Sequence, residues 1–291
     1  MKRHCIHAVI IAVVGVLGCQ EKRQTTTKGN ISVLVGEAAF PLVQKEAAEF
    51  MRLYERAHIE ISPTTSREAI VQLLTGKVAT IIVSRELNEE EKKAVEAYKL
   101  SVRSWPFAMD AVVIIVNPEN KVSRITYEQA RGIFSGNTAS WKTLGGSSQA
   151  IEPFVLSRNT GTAEYFLKTV VRDTLFAAAA KRCSSSAQLV DLVSSRRPAI
   201  GFVGLAWANE KVKVLEVAID GNSSFAAPYQ ASIYRGDYPL RRTLHIMSTD
   251  TGYAGLTTGF VTFLTSAQGQ KIVTKFGLVP VTMPVRIVQF Q

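Results

Sequence analysis

The stretch that decides the fold is residues 59–83, IEISPTTSREAIVQLLTGKVATIIV. Residues 59–62 are predicted to form a strand. Residues 66–75 follow as a helix with Ile70, Leu73 and Leu74 on its inward face, and Gly76 ends it. Residues 79–83 are a short apolar run typical of a buried strand. This order of strand, helix and strand predicts a parallel pair of strands covered by the helix.

The same alternation extends outward in both directions. Before this stretch, residues 31–35 are predicted as a strand and 41–54 as a helix, and after it residues 88–98 form a charged surface helix. Thr126 begins another helix, with Gln129 as its capping-box partner. Further strands are predicted at 112–116, 151–156, 199–203, 212–217 and 243–248, and further helices at 161–171, about 252–266 and 268–276. The predicted fold class is α/β, with mixed sheets covered by helices.

The pattern also predicts two lobes. We expect the chain to cross between them near residues 106–111 and again near residues 234–242. The first lobe would comprise residues 31–108 and 236–291, and the second residues 109–235. Ligands of α/β lobes lie at the carboxyl ends of the strands, so the cleft between the lobes is the expected binding site.

The N-terminus has the features of a lipoprotein signal peptide. Lys2 and Arg3 precede an apolar run over residues 8–17, which is too short for a permanent membrane span. Val16-Leu17-Gly18-Cys19 resembles a bacterial lipobox, which implies lipid attachment at Cys19. The predicted division is a signal peptide at 1–18 and a polar tether at 19–30. An ordinary buried helix is the alternative, and the polar stretch that follows disfavours it.

Composition narrows the function classes. The chain has 34 basic and 24 acidic residues and a formal charge of +10. Its basic residues form no dense cluster, so nucleic acid is not an expected partner. Cys183 is the one cysteine outside the predicted signal and lipid site, which leaves no pair for a disulfide or a metal site. We expect an extracytoplasmic, lipid-anchored monomer without metal or cofactor.

Several strand-to-helix junctions combine hydroxyl side chains, free amides and arginine. A helix N-terminus offers unpaired amides and a positive dipole end, so such junctions suit an anion. Each alone is explained equally by ordinary capping or by a solvated surface charge. Together they predict an oxyanion site in the cleft. The junctions are 36–40 (GEAAF), 64–67 (TTSR), 84–85 (SR) and 157–162 (SRNTGT).

From residue 31 to the C-terminus the chain resembles the phosphate-binding proteins of bacterial phosphate ABC importers, within the type II periplasmic binding proteins. This resemblance implies a two-lobed fold, capture of inorganic phosphate, and a membrane permease as partner. The order and spacing of the similar segments both match. They are 36–42, 64–70, LLTGKVATIIVSREL (73–87), DAVVIIVNP (110–118), IFSGNTASW (133–141), SRNTGTAEYF (157–166), AIGFVGL (199–205), YPLRRTL (238–244) and 269–280.

The resemblance implies particular site residues. The family's arginine and following Ser-Gly-Thr turn fall on Arg158, Thr160, Gly161 and Thr162, with a shortened spacer. The family's acidic acceptor for the ligand proton falls on Ala79, which puts selectivity for phosphate over sulfate in question. Asp110 is either a substitute acceptor or a structural residue at the lobe crossing. The other expected contacts are the backbone amides of Ala39 and Phe40, the hydroxyls of Thr65, Ser66 and Ser84, and the side chains of Arg67 and Arg85.

Two other function classes are considered. An enzyme is disfavoured because the sequence has no nucleophile elbow, metal-ligand spacing or Walker loop. An envelope scaffold that shares the fold but has lost its ligand stays open, because Ala38 and Ala79 replace functional family residues. Within the binding class, sulfate, molybdate and phosphate esters stay open as ligands.

Overall fold

The computed structural model describes residues 25–172, 175–250 and 255–282. The strands are β1 Gly29–Gly36, β2 Ala57–Thr64, β3 Thr80–Val83, β4 Arg103–Val116, β5 Arg124–Thr126, β6 Glu152–Leu156, β7 Lys181–Cys183, β8 Ala199–Gly204, β9 Lys213–Val214, β10 Glu216–Ala218, β11 Arg241–Ser248 and β12 Val279–Pro280. The α-helices are α1 Phe40–Leu53, α2 Ser66–Leu74, α3 Glu89–Ala97, α4 Tyr127–Phe134, α5 Gly161–Phe166, α6 Ser186–Ser195, α7 Gln230–Arg235, α8 Leu256–Thr265 and α9 Ala267–Phe276.

Strand β4 joins the two halves of the fold. Up to Ala111 it pairs antiparallel with β11, and from Val112 it pairs antiparallel with β8. The main sheet therefore has the continuous order β2-β1-β3-β11-β4-β8-β6-β7. The pattern predicted only residues 112–116 of this strand and a separate crossing before it. The structure instead forms the crossing by extending one strand, so the two lobes share a sheet path.

Hydrophobic packing separates the two lobes. The buried residues of the first cluster come from residues 33–108 and 244–278, and a smaller cluster lies beneath α2. The second lobe has its own cluster, which runs from Ala111 to Leu240 and includes Val279. Within this cluster four phenylalanine rings pack together: Phe134, Phe166, Phe176 and Phe202. Phe166 stacks on Phe202 at 4.0 Å between ring centroids. Each half thus has an independent apolar interior, as the two-lobed fold class requires.

Several elements differ from the predicted pattern. Helix α6 was not predicted, although Ser185 caps it and Leu189, Val190 and Val193 form its buried face. The predicted strand at 212–217 is two short strands, β9 and β10. The predicted helix at 161–171 changes after α5 into a π-helix, Leu167–Val171. The unpredicted shorter elements are β5, β7, α7 and β12.

Part of the predicted tether, residues 19–30, is folded in the structure. Strand β1 already begins at Gly29, and Thr25 and Lys28 form a backbone bridge before it. The backbone of Thr26 lies so close to α8 that a Cβ on Gly259 would be 1.8 Å from the Thr26 carbonyl oxygen. Residues 25–30 therefore pack against the first lobe. Cys19 and the predicted signal peptide lie outside the described residues.

The topology brings the hydroxyl-rich junctions together. Strands β1, β2 and β3 run parallel, so their carboxyl ends lie at one edge of the first lobe. In the second lobe, β6 ends at Leu156 and leads into α5. No helix within the described ranges has the length and apolar character needed to cross a bilayer.

Candidate functional site

The first turn of α5 meets two first-lobe junctions at Gly161. A Cβ placed on Gly161 would lie 2.3 Å from Ser84 Oγ and 2.6 Å from Ser66 Oγ. Ser66 begins α2, and Ser84 directly follows β3. Both serines are buried, with 2% and 4% of their surface exposed. A side chain at this position would have to displace both serine hydroxyls, so glycine permits the close contact between the lobes.

A buried ion pair lies beside this contact. Arg242 on β11 donates from Nε and Nη2 to Asp110 Oδ2, at 2.9 and 2.8 Å. Arg242 Nη2 also donates to Thr162 Oγ1 at 3.0 Å, which ties the pair to α5. Asp110 is fully buried and Arg242 is 7% exposed. Removing one partner of such a pair leaves an uncompensated buried charge, which costs about 3–5 kcal/mol.

The environment of Asp110 works in two directions on its pKa. Burial raises the pKa of Asp110, and the charge and hydrogen bonds of Arg242 oppose that increase. The backbone amides of Ala111 and Leu205 also face the carboxylate and oppose it. We take the carboxylate to be ionised at neutral pH, because a guanidinium bonded to it through two nitrogens stabilises the charged form.

Three buried polar atoms at this point form no hydrogen bond of good geometry with any described residue: Ser84 Oγ, Asp110 Oδ1 and Arg242 Nη1. Buried polar groups are nearly always paired, so these three atoms are the candidates for contact with a ligand. Two of the three can donate and the carboxylate oxygen can only accept. We name Ser66, Ser84, Asp110, Gly161, Thr162 and Arg242 the inner cluster.

The inner cluster suits an oxyanion that carries a proton. The hydroxyl and guanidinium donate to anionic oxygens, and Asp110 Oδ1 accepts from a protonated one. A fully ionised anion would place an oxygen lone pair against the carboxylate, which is unfavourable. Among the described residues, no group of three or more His, Cys, Asp or Glu side chains is placed to hold a metal.

Four predicted contacts are used for local structure. Thr65 caps α2 by accepting from the Glu68 amide, and Thr160 caps α5 by accepting from the Ala163 amide. The amides of Ala39 and Phe40 donate within their own turn, to the carbonyls of Gly36 and Glu37. Each of these groups already has a local partner, and contact between them and an anion stays a prediction. Ordinary capping, which the sequence left open, explains both threonines.

The three predicted arginines lie outside the inner cluster. Arg67 and Arg158 are exposed. Arg85 donates to both oxygens of Glu91, at 2.7 and 2.8 Å, and its Nε lies 2.7 Å from Glu164 Oε2. All three instead line a separate cavity of about 760 Å³, which we name the outer pocket.

Ala79 is also displaced from the site. It lies before β3, where its carbonyl oxygen accepts from Ser248 Oγ at 2.8 Å and from the Thr249 amide at 2.9 Å. Ser84 follows the other end of that strand, five residues and roughly 16 Å away at the usual rise of a strand. Ala79 therefore lies away from the inner cluster. Asp110 is the carboxylate that the fold brings to the inner cluster.

Sequence reasoning missed Arg242. Arg242, Leu244 and Ile246 alternate along β11 and are buried, as is Leu240 just before the strand. A charged residue on the inward face of a strand requires a buried partner, so this alternation was a usable signal. Its pairing with Asp110 depends on the register of β11 against β4, which local sequence does not specify.

Glu37 forms a second contact between the lobes. Its Oε1 accepts from the Ser186 amide at the start of α6, and its carbonyl oxygen accepts from Trp207 Nε1 at 2.8 Å. Burial raises the pKa of Glu37, while the hydrogen bonds from Ser186 lower it. The loop after β1 is thereby fastened to the second lobe.

Comparison with known proteins agrees with this geometry. The phosphate-binding protein PstS of Pseudomonas aeruginosa is 25% identical over 284 residues, which cover 92% of this chain and 87% of that protein. PstS of Bacillus subtilis is 28% identical over 263 residues, or 90% of this chain and 84% of the relative. A putative phosphate ABC transporter substrate-binding protein from Clostridium perfringens, solved with bound phosphate, superposes with a TM-score of 0.80. It is 22% identical, and the match covers 87% of this chain and 100% of that one.

The family assignment rests on most of the chain. A family model described as a PBP superfamily domain matches residues 20–268, which include both lobes and every residue of the inner cluster. The similar proteins share the α/β fold with a sheet covered by helices. This chain is therefore a member of the PBP superfamily, with the type II periplasmic binding protein fold.

Proposed function

We propose that the protein is an extracytoplasmic solute-binding protein that captures inorganic phosphate between its lobes and delivers it to an ABC-type permease. The observation that carries the proposal is the set of three orphaned buried atoms, Ser84 Oγ, Asp110 Oδ1 and Arg242 Nη1. The names of the relatives from P. aeruginosa and B. subtilis support the same ligand. The lobes, divided near residues 108 and 236, would close around the ligand in a hinge motion.

Phosphate is the oxyanion that fits best because it keeps at least one proton near neutral pH. That proton can be donated to Asp110 Oδ1, while Ser84 and Arg242 donate to the remaining oxygens. Sulfate carries no proton under these conditions and would meet the carboxylate with a lone pair. The proposed order of affinity is phosphate and arsenate ahead of sulfate and molybdate.

The test is calorimetric titration of anion-stripped protein, with Ser84→Ala as the key variant. A hydrogen bond to a charged ligand contributes roughly 1.5–3 kcal/mol, so Ser84→Ala should weaken phosphate binding about tenfold to a few hundredfold. The thermal stability of the ligand-free protein should stay the same or rise, because the lost hydroxyl has no partner.

Thr80→Val, at the start of the strand β3 that Ser84 follows, is the matched control. Thr80 Oγ1 lies 3.0 Å from Ser248 Oγ, so its loss should lower stability and leave phosphate affinity unchanged. Equal affinity for wild type and Ser84→Ala would place the anion elsewhere. No heat with any of the four oxyanions would favour the envelope scaffold instead.

Lipid anchoring at Cys19 is part of the proposal and rests on the lipobox sequence alone. Cys19→Ser should release the protein from membranes or leave an uncleaved precursor. Unchanged processing and fractionation would contradict the anchor without affecting the ligand assignment.

A further inference from the structure

The outer pocket is rich in uncompensated positive charge. Of the basic side chains that line it, four are exposed and form no ion pair with any described residue: Arg67, Arg158, Lys168 and Arg172. Three acidic residues, Glu90, Glu91 and Glu164, also line the pocket, and Arg85 bridges the last two. The basic side chains outnumber the acidic ones, so the field at the pocket attracts anions.

The outer pocket shares its walls with the inner cluster. Arg67 follows Ser66, Arg85 follows Ser84, and Arg158 shares a junction with Gly161. Each of these three junctions thus contributes a serine hydroxyl or a glycine to the inner cluster and an arginine to the outer pocket. The amide of Arg67 also contacts the carbonyl of Asn159 across the lobes, at 3.4 Å. The outer pocket therefore opens at the boundary between the lobes, next to the inner cluster.

We propose that the outer pocket is a transient anion site, which takes phosphate from solution and raises its rate of entry to the inner cluster. The inference rests on the proposed function. Exposed charges are screened by water and salt, so they do little to slow the release of a buried ligand. They do raise the local concentration of an oppositely charged ligand and hence its association rate. The association rate and the dissociation rate are therefore assigned to different residues.

Rapid mixing with inorganic phosphate separates the two contributions. Binding can be followed by tryptophan emission, because Trp207 is bonded to Glu37 across the lobes. The double variant Arg67→Gln/Arg158→Gln should lower the association rate constant severalfold at low ionic strength. Its dissociation rate constant should change by less than about twofold, since neither side chain would hold the bound anion. Added salt should slow association of the wild type more than that of the variant.

The control removes the same charge from the opposite end of the sheet. Lys28→Gln/Arg56→Gln alters residues beside the amino ends of β1 and β2, and should leave both rate constants unchanged. An equal fall in association rate for both double variants would reduce the effect to net charge and overturn the inference. An unchanged association rate in Arg67→Gln/Arg158→Gln, or an affinity loss carried by faster dissociation, would also overturn it. Wild-type protein that binds no phosphate would instead overturn the proposed function, and this inference with it.

Discussion

At the scale of single residues, the two carboxylate oxygens of Asp110 differ in their contacts. Oδ2 is a structural partner of Arg242, and Oδ1 has no hydrogen-bond partner of good geometry. The first oxygen holds the guanidinium in place across β4 and β11. Oδ1 is available to accept a hydrogen bond from a protonated ligand oxygen.

Asp110→Asn should therefore change selectivity. An asparagine amide can donate to an unprotonated oxygen, so the preference for phosphate over sulfate should fall by about tenfold or more. Titration of both anions against the same folded variant measures this ratio, which a general loss of stability does not alter. Asp191→Asn on the exposed face of α6 is the control. A ratio that stays at the wild-type value would show that Asp110 does not face the ligand.

At this scale, the sequence predicted residues at strand-to-helix junctions better than residues whose partners are distant in the chain. Ser66, Ser84, Gly161 and Thr162 were predicted from junction sequences, and the structure brings them together. Arg67, Arg85 and Arg158 were predicted from the same junctions. Their side chains line the outer pocket and not the inner cluster, because residues close in sequence can face different directions. Arg242 lies far away in the sequence, and only the strand register reveals its partner.

At the scale of elements, α6 shows how one unpredicted helix completes the contact between the lobes. Its first amides face the first lobe, and the Glu37 carboxylate accepts from the amide of Ser186. A carboxylate at a helix N-terminus is stabilised by the unpaired amides and the helix dipole. Trp207, in the turn after β8, adds a second bond to the same loop.

Glu37→Ala should accelerate phosphate release without removing a phosphate contact. A partly buried charge at a helix N-terminus is worth about 0.5–2 kcal/mol, so the dissociation rate constant should rise roughly two- to thirtyfold. Glu37→Gln should recover part of the loss, because its amide oxygen can still accept from Ser186. Release measured by rapid dilution tests this series, and Glu210→Ala serves as an exposed control. Equal release from all four proteins would show that this contact does not hold the lobes closed.

The elements that sequence predicted best are those with a local start signal. Thr126 and Gln129 form the predicted capping box at α4. Strand β4 was underpredicted because Pro106 normally excludes a strand interior. The structure accommodates it opposite His245, where the register of β11 shifts between Leu244 and His245. The extra residue at that irregularity is Phe107 of β4, which has no register partner, so Pro106 lies at a bulge in its own strand.

At the scale of the whole molecule, one buried carboxyl couples stability to pH. Glu46 on α1 has no exposed surface, and neither of its carboxyl oxygens has a hydrogen-bond partner among the described residues. Burial, with a smaller contribution from the charge of Glu49, raises the pKa of Glu46 to about 9. The folded protein therefore keeps Glu46 neutral at a pH where the unfolded chain ionises it. Its stabilising effect is complete below pH 4.5 and is lost as pH rises towards 9.

Glu46→Gln should therefore stabilise the protein increasingly as pH rises. The difference in the free energy of unfolding between variant and wild type should grow by about 1.4 kcal/mol per pH unit, or on the order of 4 kcal/mol from pH 5 to 8. Urea unfolding at both pH values measures it. Glu96→Gln, on the exposed side of α3, should show no such growth. A difference that is constant with pH would mean that Glu46 is already ionised in the fold.

The two places where the chain leaves the first lobe and returns to it face each other. Ala111 on β4 is the register partner of Arg241 on β11, and the antiparallel ladder continues from there towards Arg103 and Ser248. In topological terms β4 and β11 are the arms of a β-hairpin whose turn has been replaced by an entire second lobe. A two-residue turn from Ala111 to Arg241 would close that hairpin and remove the second hydrophobic core as a unit. The protein can thus be regarded as a small α/β domain that acquired its ligand cleft through one insertion at the tip of a hairpin.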